Sequence, residues 1–104
     1  MKNLTEAEFD EFIAANPNTA IDFYADWCGP CRMIAPVWEK LSGEYAEKAQ
    51  LVKVNVDENP GLARRFNVSS IPALKFLKDG EVAEEVLGAL PEPALRQKLD
   101  QTYA

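Results

Sequence analysis

The chain has 104 residues, of which 47% are apolar and 27% are charged. That length and balance are typical of one folded domain with one hydrophobic core, so we expect a single domain over residues 1–104. Seventeen acidic against eleven basic residues give a formal net charge of −6, which disfavours binding to nucleic acid or to anionic membrane surfaces. No apolar stretch approaches the ~20 residues of a membrane-spanning helix.

Two common kinds of site are excluded by the residue types present. The chain has no histidine, so Ser-His and Cys-His relays and imidazole metal ligands are ruled out. Its two cysteines, Cys28 and Cys31, are too few for a four-cysteine zinc site. Residues 1–12 lack the apolar region and the cleavage pattern of a secretory signal. We therefore expect a cytoplasmic protein without a metal, in a reducing compartment where a purely structural disulfide is unusual.

The first part of the chain predicts a helix followed by a buried strand. Thr5 and Glu8 have the spacing of a capping box and predict the start of a helix. Pro17 disfavours helical geometry at the residue before it and so ends this helix. Residues 19–25 are a short apolar run, which is typical of a strand buried on both faces.

A second helix, a second strand and a short third helix follow. The apolar spacing predicts a helix from residue 30 to about residue 49, with a kink at Pro36, which lacks the N–H of the helical ladder. Residues 51–56 alternate with a period of two and predict a strand. Asn59 is the expected cap of a helix over residues 60–66.

The last part of the chain predicts a hairpin and a final helix. Residues 73–77 and 81–87 flank the turn sequence of residues 78–80, which indicates two antiparallel strands. A helix is predicted over residues 92–103. A strand–helix–strand unit followed by a hairpin predicts an α/β fold in which helices cover both faces of a central mixed sheet.

The residues with the clearest chemistry are the two cysteines, which lie where a buried strand passes into a helix. Cys28 precedes the helix, so its sulfur faces unpaired backbone N–H groups that favour the thiolate, the attacking species in disulfide exchange. Cys31 lies one turn later, where it can attack a mixed disulfide on Cys28 and release the product. Gly29 and Pro30 add no charge between them, and Pro30 restricts the turn. This arrangement predicts redox chemistry.

Two other interpretations of the cysteine pair are less favourable. A stabilising crosslink around a loop of about four residues would contribute only roughly 2 kcal/mol by the chain-entropy formula. A metal site would need at least two further soft ligands, which the chain does not contain. The motif and its position at a strand–helix junction favour redox chemistry over both.

Residues 23–32 (FYADWCGPCR) closely resemble the active site of the thioredoxin family, and the resemblance covers nearly the whole chain. It extends to Asp22, Pro36 and Lys53, to the Ile71-Pro72 loop, to the 78–80 turn and to the Gly88-Ala89 pair. Two positions depart from the family pattern. Tyr24 stands where many members have tryptophan, and Ala73 follows the proline where threonine is common.

The resemblance implies roles for residues around the cysteines. Asp22 would move the proton of Cys31, and its place in an otherwise apolar strand predicts a pKa raised by burial. Lys53 would be the partner of Asp22. Pro72 would be cis and would present the Ile71 backbone to an extended target segment. A flat apolar patch would dock the target, and its members would be Trp27, Gly29, Pro30, Val56, Ile71, Pro72, Gly88 and Ala89.

The function that the resemblance implies is a general protein disulfide reductase acting on disulfide-containing proteins. It would be a monomer, kept reduced by an NADPH-dependent flavoprotein reductase. We expect no bound cofactor, because no phosphate-cradling glycine loop is present. One alternative is an oxidant or isomerase with the same fold, which the absence of histidine between the cysteines disfavours. Another is a binding module that uses the docking patch, with redox activity incidental.

Overall fold

Helices and strands alternate along the chain in the computed structural model, which describes residues 1–104. The elements are α1 (Phe9–Ala15), β1 (Thr19–Tyr24), α2 (Gly29–Glu44), β2 (Gln50–Asn55), α3 (Pro60–Arg65), β3 (Ala73–Lys78), β4 (Glu81–Leu87) and α4 (Glu92–Thr102). Every predicted helix and strand is present, in the predicted order. No helix combines the length and the apolar character needed to cross a membrane.

The four strands form one mixed sheet in the order β2-β1-β3-β4. The central strand β1 pairs in parallel with β2 and antiparallel with β3, and β3 pairs antiparallel with β4. The β3–β4 turn is closed by Asp79 and Gly80, both with positive φ, as a tight hairpin turn requires. The predicted α/β architecture is confirmed.

Helices cover both faces of the sheet, so the core has two layers. On one face α2 and α4 pack through Trp38, Leu41, Leu95 and Leu99 against the sheet. The Trp38 indole N–H also donates to the Val52 carbonyl oxygen, 3.1 Å away, which fixes α2 over β2. On the other face α1 and α3 cover the second cluster, which includes Phe9, Ile21, Phe23, Val54 and Leu62. Because β1 contributes to both layers, its first five residues are buried, while Tyr24 at its end is half-buried.

Two helix boundaries differ from the sequence prediction by more than one residue, and α3 and α4 each end one residue earlier than predicted. The second helix ends at Glu44 rather than near residue 49, and Tyr45 closes it by donating its N–H to the Leu41 carbonyl oxygen. The weak helix formers just before this point favour an early end, and Tyr45 stays in the core without helical geometry. The capping box is half formed: Glu8 accepts the Thr5 N–H at 3.1 Å, while the Thr5 hydroxyl caps nothing.

The third helix is capped from a distance. Asn59 occupies the cap position, but its side chain makes no capping hydrogen bond. Instead its Oδ1 accepts the Glu6 N–H at 3.0 Å, and Glu6 Oε1 accepts the Gly61 N–H at 2.6 Å. The carboxylate of Glu6, 55 residues away in sequence, therefore satisfies a helix donor that Asn59 was expected to serve.

Candidate active site

The two cysteines lie at the start of α2, directly after the loop that follows β1. Cys28 is the N-cap residue, and its Sγ accepts the backbone N–H of Cys31 at 3.2 Å. Gly29 and Pro30 form the first helical positions, where proline needs no hydrogen-bonding N–H. Cys28 and Cys31 are joined by a disulfide, with their Cα atoms 5.3 Å apart. The expected placement of a sulfur at a helix N-terminus is thus present.

The two sulfurs face different surroundings. Cys28 Sγ lies 3.9 Å from the carbonyl oxygen of Ile71, in the loop before β3. Cys31 borders a cavity of about 300 Å³ that also contains Asp22, Lys53 and Arg32. Both cysteines are almost completely buried in the oxidised protein. Cys28 Sγ therefore lies beside the loop where a target is expected, and Cys31 lies beside the ionisable groups of the cavity.

Asp22 lies in the middle of β1, between Ile21 and Phe23, and is 1% exposed. Its Oδ1 has no hydrogen-bond partner. Burial raises the pKa of the Asp22 carboxyl from 3.8 to about 7, and the positive charge of Lys53 partly opposes that rise. A carboxyl with this pKa can both accept and release a proton near neutral pH.

Lys53 lies directly opposite Asp22 in the parallel β1–β2 register. The two residues line the same cavity, yet no ion pair joins them within 4.0 Å. The Lys53 ammonium instead lies 4.3 Å from the centre of the Tyr24 ring. The expected partnership is therefore a charge interaction across the cavity rather than a contact.

Next to the cysteines is an exposed apolar groove. Trp27 is 69% exposed, and its indole N–H donates to Asp57 Oδ2 at 2.8 Å. With Val56 and Ile71 it lines a groove of about 320 Å³ that continues along residues 68–70. The indole is thereby held at the surface instead of packing into the core.

The remaining residues of the predicted docking patch lie around the same loop. The Ile71–Pro72 peptide bond is cis. Gly88 donates its N–H to the Pro72 carbonyl oxygen at 2.8 Å and has φ +86°, a conformation that favours glycine. Ala89 follows at the exposed end of β4. Gly88 is thus tied to the loop whose Ile71 carbonyl oxygen lies beside Cys28 Sγ.

The sequence predicted no role for Tyr24, Arg32 or Asp57, although Tyr24 and Arg32 lie in the 23–32 segment on which the family resemblance rests. Asp57 fixes the Trp27 indole, and Arg32 donates to the Asp26 carbonyl oxygen at 2.7 Å beside the Asp22 cavity. Tyr24 could have been found by its strand spacing, because residues two apart on a strand share a face and Asp22 is two residues before it. Asp57 and Arg32 carry no comparable pattern.

The chemistry open to this site is that of the two sulfurs and the ionisable groups beside them. No cluster of three or more histidine, cysteine, aspartate or glutamate side chains lies close enough together to hold a metal ion. A dithiol at this position can form an intramolecular disulfide, and that disulfide can be reopened by a thiolate.

Comparison with known proteins agrees with this chemistry. The family model described as Thioredoxin matches residues 1–101. A thioredoxin of Staphylococcus haemolyticus is 48% identical over 98 residues, which cover 94% of this chain and 93% of the relative. Thioredoxin 1 of Synechococcus elongatus is 41% identical over 99 residues, covering 94% and 92%. A solved Plasmodium falciparum thioredoxin superposes with a TM-score of 0.91, at 39% identity and with complete coverage of both chains. The chain therefore belongs to the thioredoxin family and is a protein-disulfide oxidoreductase that uses the Cys28–Cys31 pair.

Proposed function

We propose that the protein is a general protein disulfide reductase, with Cys28 as the nucleophile and Cys31 as the resolving cysteine. The observation that carries this proposal is the hydrogen bond from the Cys31 N–H to Cys28 Sγ at the first turn of α2. A backbone donor and the positive end of the helix both stabilise a thiolate on Cys28. Cys31 borders the cavity that contains the only buried carboxyl of the site.

The reaction transfers two electrons from the dithiol to the target. The Cys28 thiolate attacks one target sulfur, forms a mixed disulfide and releases the other target sulfur as a thiolate, which takes up a proton. Cys31 then loses its proton and attacks Cys28 Sγ, breaking the mixed disulfide. The target leaves as a dithiol, and the protein is left with the Cys28–Cys31 disulfide.

Asp22 is the proposed proton acceptor for the Cys31 thiol. Both groups line the same cavity, and the cavity has room for a bridging water. Because the pKa of the Asp22 carboxyl is about 7, it is a stronger base than an exposed aspartate while remaining largely ionised at slightly alkaline pH. Lys53 contributes a positive charge that limits how far that pKa rises.

The proposed docking surface is the groove beside Cys28 together with the loop that contains Ile71 and Pro72. An extended target segment would pair with the loop backbone and rest on the apolar groove, which requires little of the target's sequence. Trp27 and Val56 supply apolar area, and Gly88 and Ala89 form the opposite border of the loop. A docking surface that requires little of the target's sequence suits an electron donor to many different proteins.

The reducing direction is proposed because the backbone and the helix start stabilise the Cys28 thiolate without help from any charged side chain between the cysteines. Gly29 and Pro30 carry no charge, and the helix supplies one short backbone contact to Cys28 Sγ. A dithiol whose thiolate is not strongly stabilised is a good reductant, because its reduced state is not strongly favoured over the disulfide. By family resemblance, the oxidised form would be reduced again by an NADPH-dependent flavoprotein reductase in the cytoplasm.

Turnover of a disulfide-bonded protein with a dithiol donor tests the proposal. We expect catalysis by the wild type and none by Cys28→Ser. Cys31→Ser should also lose turnover, but it should accumulate a mixed disulfide with the target that is visible on a non-reducing gel. Turnover by Cys28→Ser would contradict the assigned roles. A function that survives replacement of both cysteines would instead indicate a binding module.

The equilibrium redox potential distinguishes a reductase from an oxidant. Thioredoxins as a family lie near about −270 mV, and strong oxidants of this fold near about −120 mV. We expect a value close to the first. A value close to the second would overturn the reductase proposal while leaving the family assignment intact.

A further inference from the structure

Tyr24 is the last residue of β1 and lies two residues beyond Asp22, on the same face of the strand. Its ring lies beneath the Lys53 ammonium, with 4.3 Å from Nζ to the ring centre. Its hydroxyl donates to Asn3 Oδ1 at 2.9 Å. The ring is therefore anchored at its far end and presents one face to the lysine.

The backbone of Lys53 is fixed as well. Its N–H donates to the Lys2 carbonyl oxygen at 3.0 Å, and its own carbonyl oxygen accepts the Leu4 N–H at 2.8 Å. Only the flexible side chain of Lys53 is free to choose a partner. Two partners are near it on β1: the Asp22 carboxyl, directly opposite in register, and the Tyr24 ring.

In the structure the lysine contacts the ring. No Lys53–Asp22 ion pair forms within 4.0 Å, and Asp22 Oδ1 is left without a hydrogen-bond partner. An ammonium over an aromatic face is attracted by the ring quadrupole, and the attraction grows where water is partly excluded. The ring thus competes with the carboxyl for the same cation.

We propose that Tyr24 is a positioning residue of the disulfide-exchange site, whose ring holds the Lys53 ammonium away from the Asp22 carboxyl and prevents the two from forming an ion pair. This inference rests on the proposed role of Asp22 in accepting the Cys31 proton. An ion pair in contact would stabilise the carboxylate and lower the pKa of Asp22. The carboxylate would then be a weaker base toward Cys31. Separation keeps the proton acceptor active near neutral pH.

The other ionisable groups around the cavity do not provide the same control. Arg32, from α2, has its guanidinium bonded to the Asp26 carbonyl oxygen. Cys31 from α2 and Asp26 from the loop after β1 also line the cavity. The negative charge of Glu58, after β2, contributes to raising the pKa of the Tyr24 hydroxyl. Among the positive charges, Lys53 is the one that influences the pKa of the Asp22 carboxyl.

A carbon-13 NMR titration of the Asp22 carboxyl in the oxidised protein tests this role. Tyr24→Phe keeps the ring and should leave the pKa of Asp22 close to that of the wild type. Tyr24→Leu removes the ring and frees Lys53 to contact the carboxyl. It should therefore lower the pKa of Asp22 by about one pH unit or more. Tyr24→Met repeats the test with a second, more adaptable side chain without a ring.

The same variants in a Lys53→Met background separate the effect of the lysine from a change in burial. If Tyr24 acts through Lys53, loss of the ring should lower the Asp22 pKa at most about half as much in the Lys53→Met background as with Lys53 present. An Asp22 pKa that is unchanged or raised in both Tyr24→Leu and Tyr24→Met would overturn the proposal. So would a fall of that pKa that is equally large with Lys53 and in the Lys53→Met background. The titration uses no target protein, so failure of the proposed reductase function would be seen separately, as absence of wild-type turnover.

Discussion

The backbone N–H of Cys31 donates to Cys28 Sγ across 3.2 Å, so one cysteine caps the helix that carries the other. The side-chain oxygen of serine, threonine, aspartate or asparagine is preferred at this place in helices. Here a sulfur occupies it, and reduction of the disulfide would leave that sulfur facing the same donor. The helix start therefore both stabilises a thiolate and holds the second cysteine within reach of it.

The buried carboxyl of Asp22 makes stability depend on pH. Burial raises its pKa from 3.8 in the unfolded chain to about 7 in the folded protein. Between these values the folded state holds a proton that the unfolded state has released, so the free energy of unfolding falls as the pH rises. The loss is complete about one pH unit above 7 and amounts to roughly 4 kcal/mol for a change in pKa of this size.

Asp22→Asn should remove that dependence. We expect urea unfolding of the oxidised variant, followed by circular dichroism, to show a gain in stability over the wild type that grows from pH 4 to pH 8. Asp26→Asn, at an exposed position, is the matched control and should follow the wild type. Parallel pH curves for Asp22→Asn and the wild type would contradict the assigned pKa.

Trp27 should matter for docking and not for folding, because most of its surface is exposed beside the groove. Trp27→Ala should raise the KM for a protein disulfide roughly tenfold, which corresponds to the loss of one apolar anchor. Stability should change by less than about 0.5 kcal/mol. Reduction of oxidised glutathione, which is too small to cover the groove, should be nearly unaffected.

Met33→Ala is the control for the Trp27 experiment. Met33 is also an exposed apolar residue, at 74%, but lines neither the groove nor the Asp22 cavity. Its replacement should leave the KM for the protein disulfide unchanged. Equal losses at both positions would indicate a general effect of surface hydrophobicity and would rule out the proposed groove.

The cap supplied by Glu6 predicts coupling between two distant positions. A Cβ on Gly61 would lie 2.8 Å from Glu6 Oε1, so Gly61→Ala displaces the carboxylate that caps α3. The helix gain from alanine, up to about 1 kcal/mol, is then offset by the lost cap. In a Glu6→Ala background the same substitution should be stabilising.

Chemical denaturation of the four proteins in this cycle measures the coupling directly. Glu6→Ala alone should cost about 1 kcal/mol, whereas Glu39→Ala, at an exposed position of α2, should cost less than about 0.5 kcal/mol. If Gly61→Ala has the same effect with and without Glu6, the long-range cap does not contribute to stability.

The order of the elements and the position of the cysteines could be predicted because short-range patterns determine them. Alternation, helical spacing and proline positions are local signals, and they locate the strand–helix junction that holds Cys28. The end of α2 was missed because Tyr45 contributes to the core from outside the helix. The cap on α3 was missed because its ligand, Glu6, is remote in sequence.

The partner of Lys53 illustrates a different limit. Strand register and face are encoded by alternation, so an approach of Lys53 to Asp22 could be expected. Which of two neighbours the ammonium contacts depends on competition between the Tyr24 ring and the carboxyl, and on the fixed backbone around them. Arg65 is a similar case, because its guanidinium lies 4.9 Å from the Phe9 ring centre and also forms an ion pair with Asp10.

The rate of alkylation of the reduced protein as a function of pH tests the central claim most directly. Iodoacetamide reacts with thiolates, so its rate reports how readily each sulfur ionises. We predict that Cys28 is modified before Cys31, and that at pH 6 it reacts faster than glutathione under the same conditions. Reaction of both cysteines no faster than glutathione would show that the helix start does not activate Cys28.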